Sequence, residues 1–162
     1  MFQQVYTGLL AQLADMPVYL RAALEQLPRE ALLKTAGSDD LHLLTHAWHV
    51  RDCESELYGA RIRRILAEDK PTLPGVDVGA WPEERGYAAR PLEQALAEFS
   101  ALRATLVDEV KSLSPEALAR VGIRFDGQAS SVLDVLGQLA EHDRDHRVRI
   151  AAILRSLVQA QA

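Results

Sequence analysis

Apolar residues return every three or four positions along four long stretches, a period that suits the α-helix and not the strand. The cleanest stripe is Leu92, Leu96, Phe99, Leu102, Leu106, Val110 and Leu113. It predicts a helix over 92–113 with one face on a core. A second stripe, Val135, Leu139, His142, His146, Ile150, Ile153 and Leu157, predicts a helix from about Ser131 to Gln159. Ser131 and Asp134 resemble a capping box at its start. Nearer the N-terminus, Leu9, Leu10, Leu13, Val18, Leu20, Ala23, Leu24 and Leu27 predict a helix over 5–27 that Pro28 ends. Pro17 lies inside it. Proline lacks the N–H and crowds the preceding turn, so a kink or a fresh start is expected near Asp15. The remaining helix is expected from Ser38-Asp39-Asp40, whose short side chains can cap it, to about Ala67. Its stripe is Leu41, Leu44, Trp48, Ile62 and Leu66.

Residues 69–91 hold Pro71, Pro74, Gly75, Gly79, Pro82, Gly86 and Pro91 and are expected to form a long loop, pinned to the helices by Trp81 and Tyr87. Ser114-Pro115-Glu116 opens a short helix over 115–120, residues 121–125 fit a short extended piece, and Asp126-Gly127 marks a turn. Four helices with a long crossover between the second and third give an all-α four-helix bundle, one domain over 1–162.

Composition narrows the function. A formal net charge of −5 argues against a nucleic-acid binder, which needs a basic face to neutralise phosphates. The basic clusters at Arg61–Arg64 and Arg144–Arg149 are interrupted and suit solvated helix faces. Cys53 is the single cysteine, so no disulfide can form within the chain, which fits a reducing compartment. No charged segment leading to an apolar run follows Met1, and no stretch approaches the roughly 20 apolar residues that span a bilayer. A cytoplasmic location without membrane contact is the expectation.

The chemistry lies in Glu141-His142-Asp143-Arg144-Asp145-His146. Positions four apart sit one turn apart on one helix face, so two imidazoles can converge on one ion. Both histidines occupy places on the stripe where Leu or Ile would be expected. Buried imidazoles cost free energy unless each finds a partner, and a metal partners both at once. Asp143 stands where the zinc proteases carry glutamate, so this is not the His-Glu-x-x-His motif. The second helix offers His42, His46 and His49, all within about 60° of a helical wheel. Spacing does not choose among them, and an ion held by those three alone is the rival arrangement. One ligand from this helix joined to the pair on the fourth is preferred, because bundles build metal sites between facing helices.

His49-Val50-Arg51-Asp52-Cys53-Glu54, followed by Tyr58, Arg61 and Ile62, resembles the "HLxDxE…RI" segment of the DinB-like superfamily. The run LGQLAEHDRDHRVRI from Leu136 to Ile150 resembles that family's "HxxxH" helix. Leu73-Pro74-Gly75-Val76-Asp77 with Trp81 and Tyr87 is similar to its middle loop, and Pro91-Leu92 through Phe99 and Arg103 to its third helix. The likeness covers roughly residues 5–157. It implies a four-helix bundle, usually a homodimer, with a metal held by His49, His142 and His146. His42 and His46 fall outside the pattern and become surface or boundary residues.

Three protein ligands leave a coordination position for water or substrate. Zinc or nickel is the expected ion, with iron also suited to imidazole. Family members of known activity include thiol-dependent S-transferases, among them a mycothiol-dependent maleylpyruvate isomerase. The resemblance therefore implies a metal-dependent enzyme that attacks a small-molecule electrophile with a metal-activated thiolate or water, with a low-molecular-weight thiol as a second cofactor. The alternatives are a stress-related bundle whose ion is mainly structural, and a helical dimer without metal. Of the neighbours, Asp52 is read as a surface carboxylate pairing with Arg51 or Arg144, and Asp143 and Asp145 as solvent-facing. Cys53 is read as a buried structural thiol, and Trp48 and Tyr58 as core or interface aromatics.

Overall fold

Each apolar stripe forms a helix in the computed structural model, which describes residues 2–37 and 41–160. In chain order the elements are α1 (Phe2–Leu24), α2 (Arg29–Leu32), α3 (Leu43–Cys53), a π-helical turn (Glu54–Tyr58), α4 (Gly59–Ala67), β1 (Thr72–Leu73), α5 (Trp81–Glu84), a 3-10 turn (Tyr87–Ala89), α6 (Leu92–Val110), α7 (Pro115–Leu118), β2 (Val121–Arg124), β3 (Ala129–Ser131) and α8 (Val132–Gln159). The expected cap at Ser38-Asp39-Asp40 lies outside the described residues. The helix itself begins at Leu43, where His42 Nδ1 accepts the Thr45 backbone N–H at 3.0 Å. Among the described residues no helix is long and apolar enough to cross a membrane.

Cross-helix contacts set the directions of the bundle. Tyr6 donates to the Val110 carbonyl and Arg21 pairs with Glu93, so α1 and α6 run antiparallel. The pairs Arg51–Glu98, Glu54–Arg103 and Arg63–Glu109 advance along both helices together, so α3–α4 and α6 run parallel. A parallel pair needs a connection that travels back the length of the rod, and residues 68–91 supply it. α1 and α3 each pack on α6 and α8.

That connection is not bare loop. It contains β1, α5 and the 3-10 turn, and β1 pairs in parallel with β2, Thr72 opposite Ile123. β2 pairs antiparallel with β3, Gly122 opposite Ser130, through a turn where Gly127 takes φ of 82°. Gly122 is needed because a Cβ there would stand 2.8 Å from the buried Leu73 side chain. Ser131 and Asp134 form the reciprocal capping box of α8.

α1 departs from expectation in two places. Its buried residues are Tyr6, Leu13, Met16, Leu20 and Leu24, and Val18 is exposed. No fresh start occurs near Asp15, and the helix runs through Pro17. Proline at 17 deprives the Leu13 carbonyl of its helical donor. Arg103 Nη1 reaches that carbonyl at 2.6 Å from α6 and supplies the missing hydrogen bond.

The second bundle helix also departs from a uniform α-helix. At Glu54–Tyr58 the Gly59 N–H donates to the Glu54 carbonyl five residues back. On an unbroken helix Tyr58, nine residues after His49, would point about 180° away from it. The extra residue in the π turn rotates it back by about 100°. Gly59 permits the turn, since a Cβ there would lie 2.6 Å from the Glu54 carbonyl oxygen. Replacing an exposed mid-helix Gly by Ala normally stabilises by about 1 kcal/mol. Here Gly59→Ala is expected to destabilise by about 1–3 kcal/mol instead, through overpacking. Urea denaturation midpoints check the sign.

Two apolar clusters fill the bundle, one around Leu20, Trp48, Phe99 and Ile153, the other around Leu13, Ile65, Leu106 and Leu139. On α6 and α8 a polar belt separates them: Arg103 on the first, His142, Asp143 and His146 on the second.

Candidate metal centre

α3 is the most buried of the described helices, with every residue from Leu43 to Val50 inside, so the polar side chains it carries are cut off from water. His46 and His49 lie on it one turn apart and face His142 and His146 on antiparallel α8. The ring centroids of His49 stand 5.4 Å from His142 and 5.1 Å from His146, and those two are 4.5 Å apart. His142 Nε2 and His146 Nε2 approach to 3.2 Å. His49 Nε2 is 3.4 Å from Cys53 Sγ. The Tyr58 ring, turned inward by the π turn, is 5.3 Å from that of His142. His49 and His146 are buried, whereas His142 is half-buried and is the member of the trio that borders solvent.

Burial dominates the electrostatics. It lowers the pKa of His49, takes His142 down to about 3, and holds His146 well below the ordinary imidazole range. All three rings are therefore neutral at physiological pH and present lone pairs without first losing a proton. The same burial pushes the Cys53 thiol up to about 12, with nearby Asp52 adding to the rise. A thiol so placed is a weak nucleophile on its own. His49 Nδ1 and His142 Nδ1 are buried with no hydrogen-bond partner among the described residues.

This donor set suits a divalent ion. Two imidazole nitrogens bound at 2.0–2.1 Å to a tetrahedral zinc stand roughly 3.3 Å apart. The His142–His146 separation of 3.2 Å matches that edge. Two overlapping trios meet here. The ligand atoms of His49, Cys53 and His142 all lie within 4.8 Å of one another. The rings of His49, His142 and His146 converge by their centroid distances. His49 and His142 are common to both.

Several neighbours differ from expectation. His46 is fully buried, not a surface or boundary residue, and its Nδ1 lies 2.7 Å from His146 Nδ1. His42 caps α3. Asp143 is not solvent-facing: it is 2% exposed and paired with Arg103 at 2.6 Å. The wheel held the signal, because Asp143 is four residues after Leu139 and three before His146, inside the stripe. Arg103 likewise stands four residues after Phe99 and three before Leu106, on the buried face of α6. Asp145 is exposed.

Asp52 is buried rather than superficial, and its partners are Arg51, Arg85 and Tyr87, not Arg144. The last two come from the crossover segment, so Asp52 fastens that segment to α3 three residues from His49. Tyr87 is fully buried, stacks near Trp48 and donates to Asp52 Oδ2 at 2.6 Å. Hydrogen bonds to charged groups contribute about 1.5–3 kcal/mol. Tyr87→Phe should lose stability in that range and speed proteolysis within 69–91, measured by denaturation and limited digestion.

The fold is similar to the solved structure of YfiT from Bacillus subtilis, with a TM-score of 0.86 at 19% sequence identity, covering 93% of this chain and 86% of that one. YfiT is described as "a probable metal-dependent hydrolase with an unusual four-helix bundle topology". At that identity the likeness speaks for the fold. No curated protein matches the chain. The sequence profile of the DinB superfamily matches residues 12–149, a span that takes in part or all of every bundle helix and both histidine-bearing segments. With most of its length matched, the chain belongs to the DinB superfamily.

Proposed function

We propose that this protein is a divalent-metal-dependent enzyme in which His49, His142 and His146 hold the ion and a small electrophile is attacked by water or a low-molecular-weight thiol, as in thiol S-transferases. The observation that carries the reading is the convergence of three neutral imidazoles from two antiparallel helices, their centroids no more than 5.4 Å apart. When bound, the ion supplies Lewis acidity, lowering the pKa of a coordinated water or thiol toward neutrality. The chain's own residues do the rest. His142 opens the trio to solvent, where a small substrate enters. Asp52 anchors the crossover segment beside α3. The description of YfiT as "a probable metal-dependent hydrolase" supports the metal-dependent part of this reading, with water as the attacking group.

Metal analysis of purified protein, followed by hydrolysis and thiol-conjugation assays with bacillithiol, mycothiol and glutathione, tests the proposal. Turnover is expected to vanish together with metal in His142→Ala. Turnover that survives loss of the metal would overturn it.

Cys53 favours a second reading. Were its sulfur to take the fourth position, the site would be closed, as structural sites are, and the ion would chiefly stabilise the bundle. Cobalt-substituted protein separates the two. A thiolate-to-cobalt absorption band that disappears in Cys53→Ala supports the closed site, and its absence from the wild type supports the open one.

A further inference from the structure

We propose that His46 is a positioning residue that fixes which nitrogen of His146 faces the metal. The inference rests on the metal reading above. His46 Nδ1 and His146 Nδ1 are 2.7 Å apart, the two rings meet edge to face at 80°, and His46 is fully buried. Two ring nitrogens 2.7 Å apart share one proton, so one donates and the other accepts. His146 Nε2 is the nitrogen turned toward His142 Nε2, 3.2 Å away. To offer a lone pair there, His146 must carry its proton on Nδ1. Nδ1–H then donates to the lone pair of His46 Nδ1, which places the His46 proton on Nε2.

Metal-bound histidines usually donate their second N–H to a carboxylate, a backbone carbonyl or water. Here a second imidazole fills that role. It comes from α3, one turn before His49, so the helix that carries one ligand also orients another on α8. Of the carboxylates that flank these ligands in sequence, Glu141 and Asp145 are exposed and Asp143 alone is buried, and Arg103 engages both of its oxygens.

The test compares wild type, His46→Leu and His46→Asn. Leu keeps an apolar bulk and removes the acceptor. Asn places Oδ1 where Nδ1 stood and can accept the same N–H. Zinc affinity, read by competition with a chromophoric chelator, is expected to fall roughly 10–100-fold in His46→Leu and to return to near the wild-type value in His46→Asn. In zinc-loaded wild type, long-range ¹H–¹⁵N correlation should show His146 protonated at Nδ1. Packing alone would move neither the rescue nor the tautomer. The proposal is overturned if His46→Leu binds zinc as tightly as wild type, if His46→Asn is as weak as His46→Leu, or if His146 carries its proton on Nε2. Should His46→Leu fail to fold, the tautomer and His46→Asn decide. Wild type that takes up no zinc would bring down the metal reading and this inference together, whereas wild type that binds zinc alongside an equally tight His46→Leu would bring down this inference alone.

Discussion

Arg103→Met is expected to cost about 3–5 kcal/mol of folding stability, the range for breaking a buried ion pair by removing one partner. The guanidinium is 1% exposed and every one of its donors is used. Nε and Nη2 hold the two oxygens of Glu54 at 2.8 and 2.9 Å, Nη1 and Nη2 hold those of Asp143 at 2.6 and 3.2 Å, and Nη1 also takes the Leu13 carbonyl. One side chain on α6 thus ties α1, the π turn and α8. Its loss strands two carboxylates in the interior and reopens the carbonyl that Pro17 leaves bare. Burial already pushes Asp143 up to about 6 against the pull of Arg103. Without that pull Asp143 is expected to take up a proton at neutral pH, which caps the penalty. Glu54 adjoins Cys53 and Asp143 adjoins His142, so zinc affinity should fall in parallel. Urea unfolding with and without chelator measures both effects. A control variant with Arg103, Glu54 and Asp143 all replaced by apolar residues should regain most of the stability but not the zinc affinity. A loss below about 1 kcal/mol in Arg103→Met would contradict the role assigned to the belt.

The second large effect is expected from His146→Ala. Loss of an outer partner of a ligand lowers metal affinity roughly 10–100-fold, and loss of the ligand itself should exceed that range. An ion at about 100 times its dissociation constant adds roughly 2.7 kcal/mol to folding stability. Zinc should therefore raise the melting temperature of wild type and leave that of His146→Ala unmoved. Equal zinc shifts in the two proteins would assign the ion elsewhere, with His49, Cys53 and His142 the first place to look.

Element type and approximate extent were legible because helical periodicity is a local property. The stripe over 92–113 became α6, the capping box at Ser131 starts α8, and Asp126-Gly127 is a turn. The i,i+4 histidine pair was legible for the same reason, since one turn of helix fixes the offset of its side chains whatever surrounds them. Less visible was the polar belt. Asp143 and Arg103 satisfy the buried period, yet a charge on a stripe is read as an error in the stripe until its counter-charge is known, and Glu54 lies 49 positions from Arg103.

Local pattern alone therefore establishes the helices, their inward faces and the presence of two imidazoles among apolar neighbours, because these depend on backbone geometry within a turn or two. Packing had to choose the rest: that α3–α4 runs parallel to α6, that a π turn brings Tyr58 toward His142, and that His46 lies against His146. Those outcomes depend on which desolvated polar groups meet across helices far apart in the chain. Desolvation is costly enough that the pairing, rather than any local preference, settles where each buried charge and ring must go.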